Sequence, residues 1–338
     1  MPPRLNIHIG LAKTGTTTIQ AAMHGNRDRL AEHGVTYGFE RMNHSVRLLV
    51  AFQSDPMGYP VVVNAGIDAA DLPRLGESAR QRLASEIARC KTPHYLISGE
   101  AASSFSLEDV KRIRALTDDL GVGDIRILCY VRDPISFARS IVQQRLKSGA
   151  RLGELKYRRP GPAFRQRIEP WIETFGRDSL KIVAFETACR HRGGLPGSML
   201  EAILGTEVTL PEIPEQKRQN ASLCLEAALL LDALNARHPY LVDGGIGPNR
   251  SRGDANVLLR GIRGTPFHLG PDFDREVAAD AADDVAWLRE VSGQADLFGG
   301  YEAMTHRTYP EPAWSTETLE DVAATLFSQR AELTQPKG

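Results

Sequence analysis

Cysteine is scarce and scattered. Cys90, Cys129, Cys189 and Cys224 are the only four in 338 residues, and no two form a CxxC pair. That argues against a disulfide framework or a thiolate zinc site and suits a reducing, cytoplasmic setting. Excess charge is missing too: 41 basic residues against 42 acidic leave a net −1. With no global positive field, nucleic acid is not the expected partner, and an anion site has to be built locally. No apolar run reaches the roughly 20 residues that span a bilayer, and the first residues carry no leader pattern. What is present is ordinary for a globular protein, 42% hydrophobic and 25% charged. The length allows one large α/β domain or two smaller ones.

Apolar runs expected as strands are Leu5–Ile9, Val35–Gly38, His94–Ser98, Ile125–Val131 and Leu180–Phe185. Between them helical spacing predicts Thr16–His33, Glu77–Cys90, Leu107–Leu120, Pro134–Lys147, Phe164–Phe175 and Leu195–Leu204. Strands alternating with helices predict a parallel sheet covered on both faces, which binds ligands at the carboxyl ends of its strands. Residues 54–76, rich in Pro and Gly, read as a long loop or lid. Beyond about residue 238 the sequence suggests a helical and irregular extension, with helices near Glu276–Glu290 and Glu317–Gln329 and no strand. The expected division is therefore a core over 1–237 and an extension over 238–338.

The most informative stretch runs from His8 to Gln20. A strand enters a loop through Gly10 and Gly15 and leaves into a helix, an arrangement that points backbone N–H groups and a helix dipole at an anion. Gly10 to Thr17 matches GxxxxG plus two residues, but a nucleoside-triphosphatase loop continues Lys-Ser/Thr. Here Thr16 follows Gly15 and the only lysine, Lys13, lies earlier. No strand ends in a clean apolar run plus Asp to hold magnesium, so a metal-free phosphate site fits better. Helix capping alone is the alternative, but it needs one hydroxyl rather than three threonines and a lysine.

At Lys13, Thr14, Gly15, Thr16 and Thr17 the chain resembles the PAPS-dependent sulfotransferase family, whose 5′-phosphosulfate loop reads Lys-Ser/Thr-Gly-Thr-Thr after a strand. Thr18 stands where that family often has an aromatic residue. Arg132, Pro134 and Ser140 match its 3′-phosphate motif, an Arg at a strand end and a Ser eight residues on. A guanidinium that forks onto phosphate oxygens, with a hydroxyl beside it, suits that role. Trp171, Phe175-Gly176 and the strand ending in Glu186 extend the resemblance over roughly residues 5–236. Arg218, Asn220 and Ser222 match a late polar segment more weakly, and a helix N-cap at Ser222 explains the last equally well.

The resemblance implies a three-layer P-loop-like α/β fold and PAPS as sulfuryl donor, with no metal. Lys13 would stabilise the leaving phosphate. Glu100, at the end of a strand, would be the general base, with His44 as second choice. Family members acting on sugars often place Glu there, which points to a carbohydrate hydroxyl. His8 reads as a core histidine and Glu186 as a structural carboxylate. The basic run Lys147, Arg151, Lys156, Arg158, Arg159 and Arg165 suits either a solvated loop or an anionic glycan. Two other functions stay open: a P-loop kinase, which would need magnesium and ATP, and a non-catalytic PAP-binding protein. Nothing in the sequence names the acceptor or the oligomeric state.

Overall fold

The strand β1 (Arg4–His8) is flanked on both edges, by β3 (His94–Ser98) and by β4 (Ile125–Val131). Burial on both faces explains why these runs read as near-continuous apolar sequence. With β2 (Val35–Tyr37) and β5 (Leu180–Ala184) they form a five-stranded sheet, ordered β2-β3-β1-β4-β5 and parallel throughout. The computed structural model in which this sheet is seen describes residues 2–157, 159–211, 222–248, 250–251, 253, 259 and 261–334. From β1 the chain runs out to β2 at one edge, returns through β3 beside β1, and then crosses to β4 and β5 on the other side. This puts the switch of direction, where open α/β sheets take ligands, at the carboxyl end of β1.

Two compact units are present. One comprises Met1–Asp133, Ala163–Lys217 and Asp283–Gly299, and the other Pro134–Pro162, Arg218–Ala282 and Gly300–Gly338. Residue 237, the boundary expected from sequence, lies inside the second unit. In the first, helices cover both sheet faces. On one face Ile19 and Met23 of the helix Thr16–Gly25, and Met199, Leu200 and Ile203 of Gly194–Leu204, pack on Leu96, Leu128 and Tyr130. From the other face Tyr95 reaches Glu86 on the helix Leu72–Arg89, donating a 2.7 Å hydrogen bond. In the second unit the helices Leu225–Arg237 and Pro271–Asp280 pack on Pro134–Lys147. Buried Glu226 there accepts hydrogen bonds from Thr265 and from the Ala313 N–H. Among the described residues no helix is long and apolar enough to cross a membrane.

Several expectations are corrected. The helix expected over Thr16–His33 breaks at Asn26 into Thr16–Gly25 and Arg27–Glu32, where Gly25-Asn26 supplies the weakest helix formers of the run. Residues 54–76 are not one loop: Pro56, Pro60 and Pro73 each open a helical segment, because a fixed φ and a missing N–H cost nothing at a first turn. The helix near Glu276–Glu290 is two, Pro271–Asp280 and Ala282–Ser292. The C-terminal region does hold strands: β6 (Leu241–Val242) and β7 (Gly245–Ile246) pair antiparallel. Their turn is Asp243-Gly244, with φ of 50° and 78°, a dipeptide that favours such a two-residue hairpin.

Candidate active site at the carboxyl ends of β1, β3 and β4

The loop after β1 is shaped by three residues with positive φ: Gly10 (40°), Lys13 (64°) and Gly15 (72°). A Cβ on Gly10 would stand 2.9 Å from Thr16 Oγ1 and 3.3 Å from the Cα of Glu100. Only glycine lets the first loop close onto the residue after β3. Lys13 has no such freedom, and a left-handed lysine costs about 1–2 kcal/mol. Two hydrogen bonds help hold that conformation. Thr14 donates to the Leu11 carbonyl at 2.6 Å, and Arg132 Nη1 donates to the Lys13 carbonyl at 3.2 Å. Strain kept in place by a neighbouring guanidinium is an arrangement found at functional sites.

Gly15 is the N-cap of the helix Thr16–Gly25, and no side chain caps it. Capping is therefore not what the three threonines do. Thr17 is exposed, Thr18 half-buried, and the Thr16 hydroxyl oxygen is buried without a hydrogen-bond partner. An orphaned buried hydroxyl costs about 1–3 kcal/mol. With the uncapped N–H groups of the first turn it marks a place for an acceptor-rich ligand.

Glu100 opens the 3-10 turn Glu100–Ser104, next to that loop. Burial lifts its carboxyl above the usual glutamate range, while Lys13 and Arg167 pull it back. Burial also lowers Lys13, against the attraction of Glu100 and in concert with Arg132. Glu100 does not cap the following helix, because Ser106 and Asp109 form a reciprocal capping box there. Arg132 directly follows β4, with its guanidinium 4.9 Å from the centre of the Phe185 ring. The first unit thus brings Lys13, Glu100 and Arg132 together. Ser140, half-buried on Pro134–Lys147, belongs to the second unit. Its neighbour Arg139 is tied to Asp274 and Tyr309.

No protein-family model and no curated protein matches the chain. Among solved structures it is similar to a crystal structure of a sulfotransferase from Alicyclobacillus acidocaldarius, with 14% identity and a TM-score of 0.45, over 89% of this chain and 99% of that one.

Two side chains beside the site, Arg167 and Phe185, escape sequence reasoning. Arg167, on the helix Phe164–Phe175, reaches Ser103 Oγ at 3.5 Å, and Ser103 in turn donates to the Glu100 carbonyl at 2.8 Å. Nothing in a helical period says which loop such an arginine will face. Phe185 and Glu186 stand beside Arg132, for which the signal was present, since they directly follow β5. The cap expected at Ser222 is instead Cys224, whose sulfur accepts from Ala227 N–H. Arg218, Asn220 and Arg158 lie outside the described residues. In the basic run, Arg151 pairs with Asp232, Arg159 with Glu276 and Asp280, and Arg165 with Glu169. Arg159 also lines, with Arg145 and Glu154, a cavity of 430 Å³ in the second unit.

His44 and His8 are both buried. The Nδ1 of His44 accepts from Ser98 N–H at 3.0 Å and its Nε2 faces the Arg41 carbonyl at 3.0 Å, so the ring is neutral and fully used. His8 meets Ser98 Oγ at 2.8 Å, and Gln20 donates to the same hydroxyl. Burial depresses His8 to about 3 and His44 to about 4. A depressed histidine stays neutral in the fold while the unfolded chain takes up a proton below about 6.5. Stability is then full above that pH and falls as pH drops toward 4. Unfolding free energy from denaturant titrations should fall from pH 7 to pH 4.5, by up to about 1.4 kcal/mol per histidine and pH unit. The decline should be shallower in His8→Gln; an equal slope in that variant would assign the acid sensitivity elsewhere.

Proposed function

We propose that the chain is a sulfotransferase, moving a sulfuryl group from PAPS to an acceptor hydroxyl, with a carbohydrate as the acceptor class. The observation that carries this reading is the convergence of Lys13, Glu100 and Arg132 on one loop whose lysine precedes, rather than follows, its second glycine. The donor fits the residues present: the orphaned Thr16 hydroxyl and uncapped helix N-terminus suit a 5′-phosphate. Arg132, in a stretch that resembles a 3′-phosphate motif, suits a 3′-phosphate that ATP lacks. PAPS brings the sulfuryl group and a phosphate leaving group.

Lys13 stabilises charge that grows on the leaving phosphate. Its ammonium suits that place as a point charge with three donors. Glu100 takes the proton from the acceptor oxygen. Its elevated affinity for protons improves it as a base near neutrality, since general bases work best with a pKa close to the operating pH. Arg167 supports the ionised form against burial. His44 is spent on Ser98 and Arg41, which leaves Glu100 as the carboxylate for the task.

Comparison of thermal melts tests the reading. PAP at a hundred times its Kd should stabilise the fold by about 2.7 kcal/mol, a rise of a few degrees for a chain of this size. ADP, and ATP with magnesium, should give much smaller shifts. A preference for ATP with magnesium would favour a kinase and overturn the assignment.

A further inference from the structure

The carboxyl group of Glu186 has no place in the chemistry above, yet it lies against the anion site. Its Oε1 stands 3.7 Å from Arg132 Nε, within ion-pair reach but beyond hydrogen-bond reach. Both of its oxygens and that Nε are buried without a hydrogen-bond partner. Arg132 is otherwise committed on two sides, to the Lys13 carbonyl through Nη1 and to the Phe185 ring through its face. The arginine on which the anion reading depends is thus held in a frame, and one wall of the frame is a carboxyl.

The groups facing that carboxyl are few. Arg132 and Asp133 come from the end of β4, and Cys189 lies one turn on along its own helix, Phe185–Arg190. From the packed helix Gly194–Leu204 comes the apolar Leu195, which meets Gly15 beside the Phe185 ring. Asp133 is buried as well. Two buried carboxyls beside one guanidinium do not both ionise readily, because like charges at short range raise one proton affinity strongly. Burial, and then the Asp133 charge, push Glu186 well above the glutamate range.

We propose that Glu186 is a positioning residue for Arg132: it walls the guanidinium as an uncharged, protonated carboxyl, and an anion seats on Arg132 with that proton in place. The proposal rests on the reading of Arg132 as an anion ligand and is independent of sulfuryl transfer. With the proton present, Glu186 is a neutral wall and the guanidinium keeps a positive charge to offer. Once the proton leaves to solvent, Glu186 carries a charge of its own, offsets that of Arg132 and repels an incoming anion. Anion binding therefore takes up a proton, and affinity falls as pH rises, by at most tenfold per unit for one proton.

The test uses the full-length protein. Carboxyl-carbon NMR of ¹³C-labelled glutamate, with the Glu186 signal assigned by its loss in Glu186→Gln, reads the titration without any ligand. A midpoint well above the ordinary glutamate value, falling in Asp133→Asn, is expected; an ordinary midpoint in wild type overturns the proposal. Binding is then measured with PAP and with inorganic sulfate, whose charge is constant over the neutral range. Wild-type affinity for sulfate should fall between pH 6 and pH 8, and in Glu186→Gln it should be flat and higher at pH 8. An unchanged slope in Glu186→Gln, in a variant with a wild-type melt, also overturns it. Failure of PAP to bind, with sulfate behaving as described, sinks the nucleotide reading and leaves this one standing.

Discussion

Lys13→Ala is expected to lower sulfuryl transfer by two to three powers of ten while leaving a folded protein. Removing one preorganised donor from a developing negative charge costs about 2.7–4 kcal/mol in barrier, and Lys13 is the only lysine on the loop. The variant tests charge rather than shape. Alanine at a φ of 64° bears the same left-handed penalty as lysine, and the Arg132 bond goes to the Lys13 carbonyl, which alanine retains. The loop should thus survive. PAP affinity, supported by backbone N–H groups, Thr16 and Arg132, should fall far less than turnover. Initial rates with a sulfated donor, beside PAP titrations monitored by melting, separate the two. Turnover within a few-fold of wild type would remove Lys13 from the reaction; equal losses in affinity and turnover would reduce it to a phosphate ligand.

Where the candidate residues lie could largely be read from the sequence alone, because they sit at strand ends. β3 and β4 are mostly apolar runs stopped by Gly99 and Arg132, so their boundaries match the expected ones to the residue. The positions that follow them, Glu100 and Arg132, inherit that accuracy. Legibility fails where a neighbour comes from elsewhere in the chain. Arg167 sits in a well-predicted helix, but its approach to Ser103 and Glu100 depends on how that helix packs. His44 looked available because it precedes an amphipathic run; that it lies under β3, bonded to Ser98, is decided by tertiary burial. The hairpin at residues 241–246 was missed for another reason, since two-residue strands are too short for alternation to register. The interleaving of the two units is invisible to a reading that moves along the chain.

Glu100→Gln separates a base from a brace. Gln keeps the size of Glu but loses its charge and its ability to take a proton, so transfer should fall by about 10²–10⁴-fold, the usual worth of a positioned base. PAP affinity should stay near wild type, because Glu100 touches the donor loop through its Cα beside Gly10, and that contact persists. The pH profile carries a second signature. Burial raises Glu100 above the normal range, so the wild-type rate should be lost as pH falls through that elevated value. The loss should begin nearer neutrality than an ordinary glutamate allows. The acid limb belongs to Glu100 and should vanish from the residual activity of Glu100→Gln. Persistence of the same limb would hand the proton to another group, and a collapse of PAP affinity would make Glu100 a structural counter-ion of Lys13 instead. The sign of a third result follows from the same electrostatics. Loss of the Glu100 charge removes an attraction that raises Lys13, so the lysine should deprotonate at lower pH in the variant, and its alkaline limb should move toward neutrality. That shift is absent if the two side chains do not face each other across the loop.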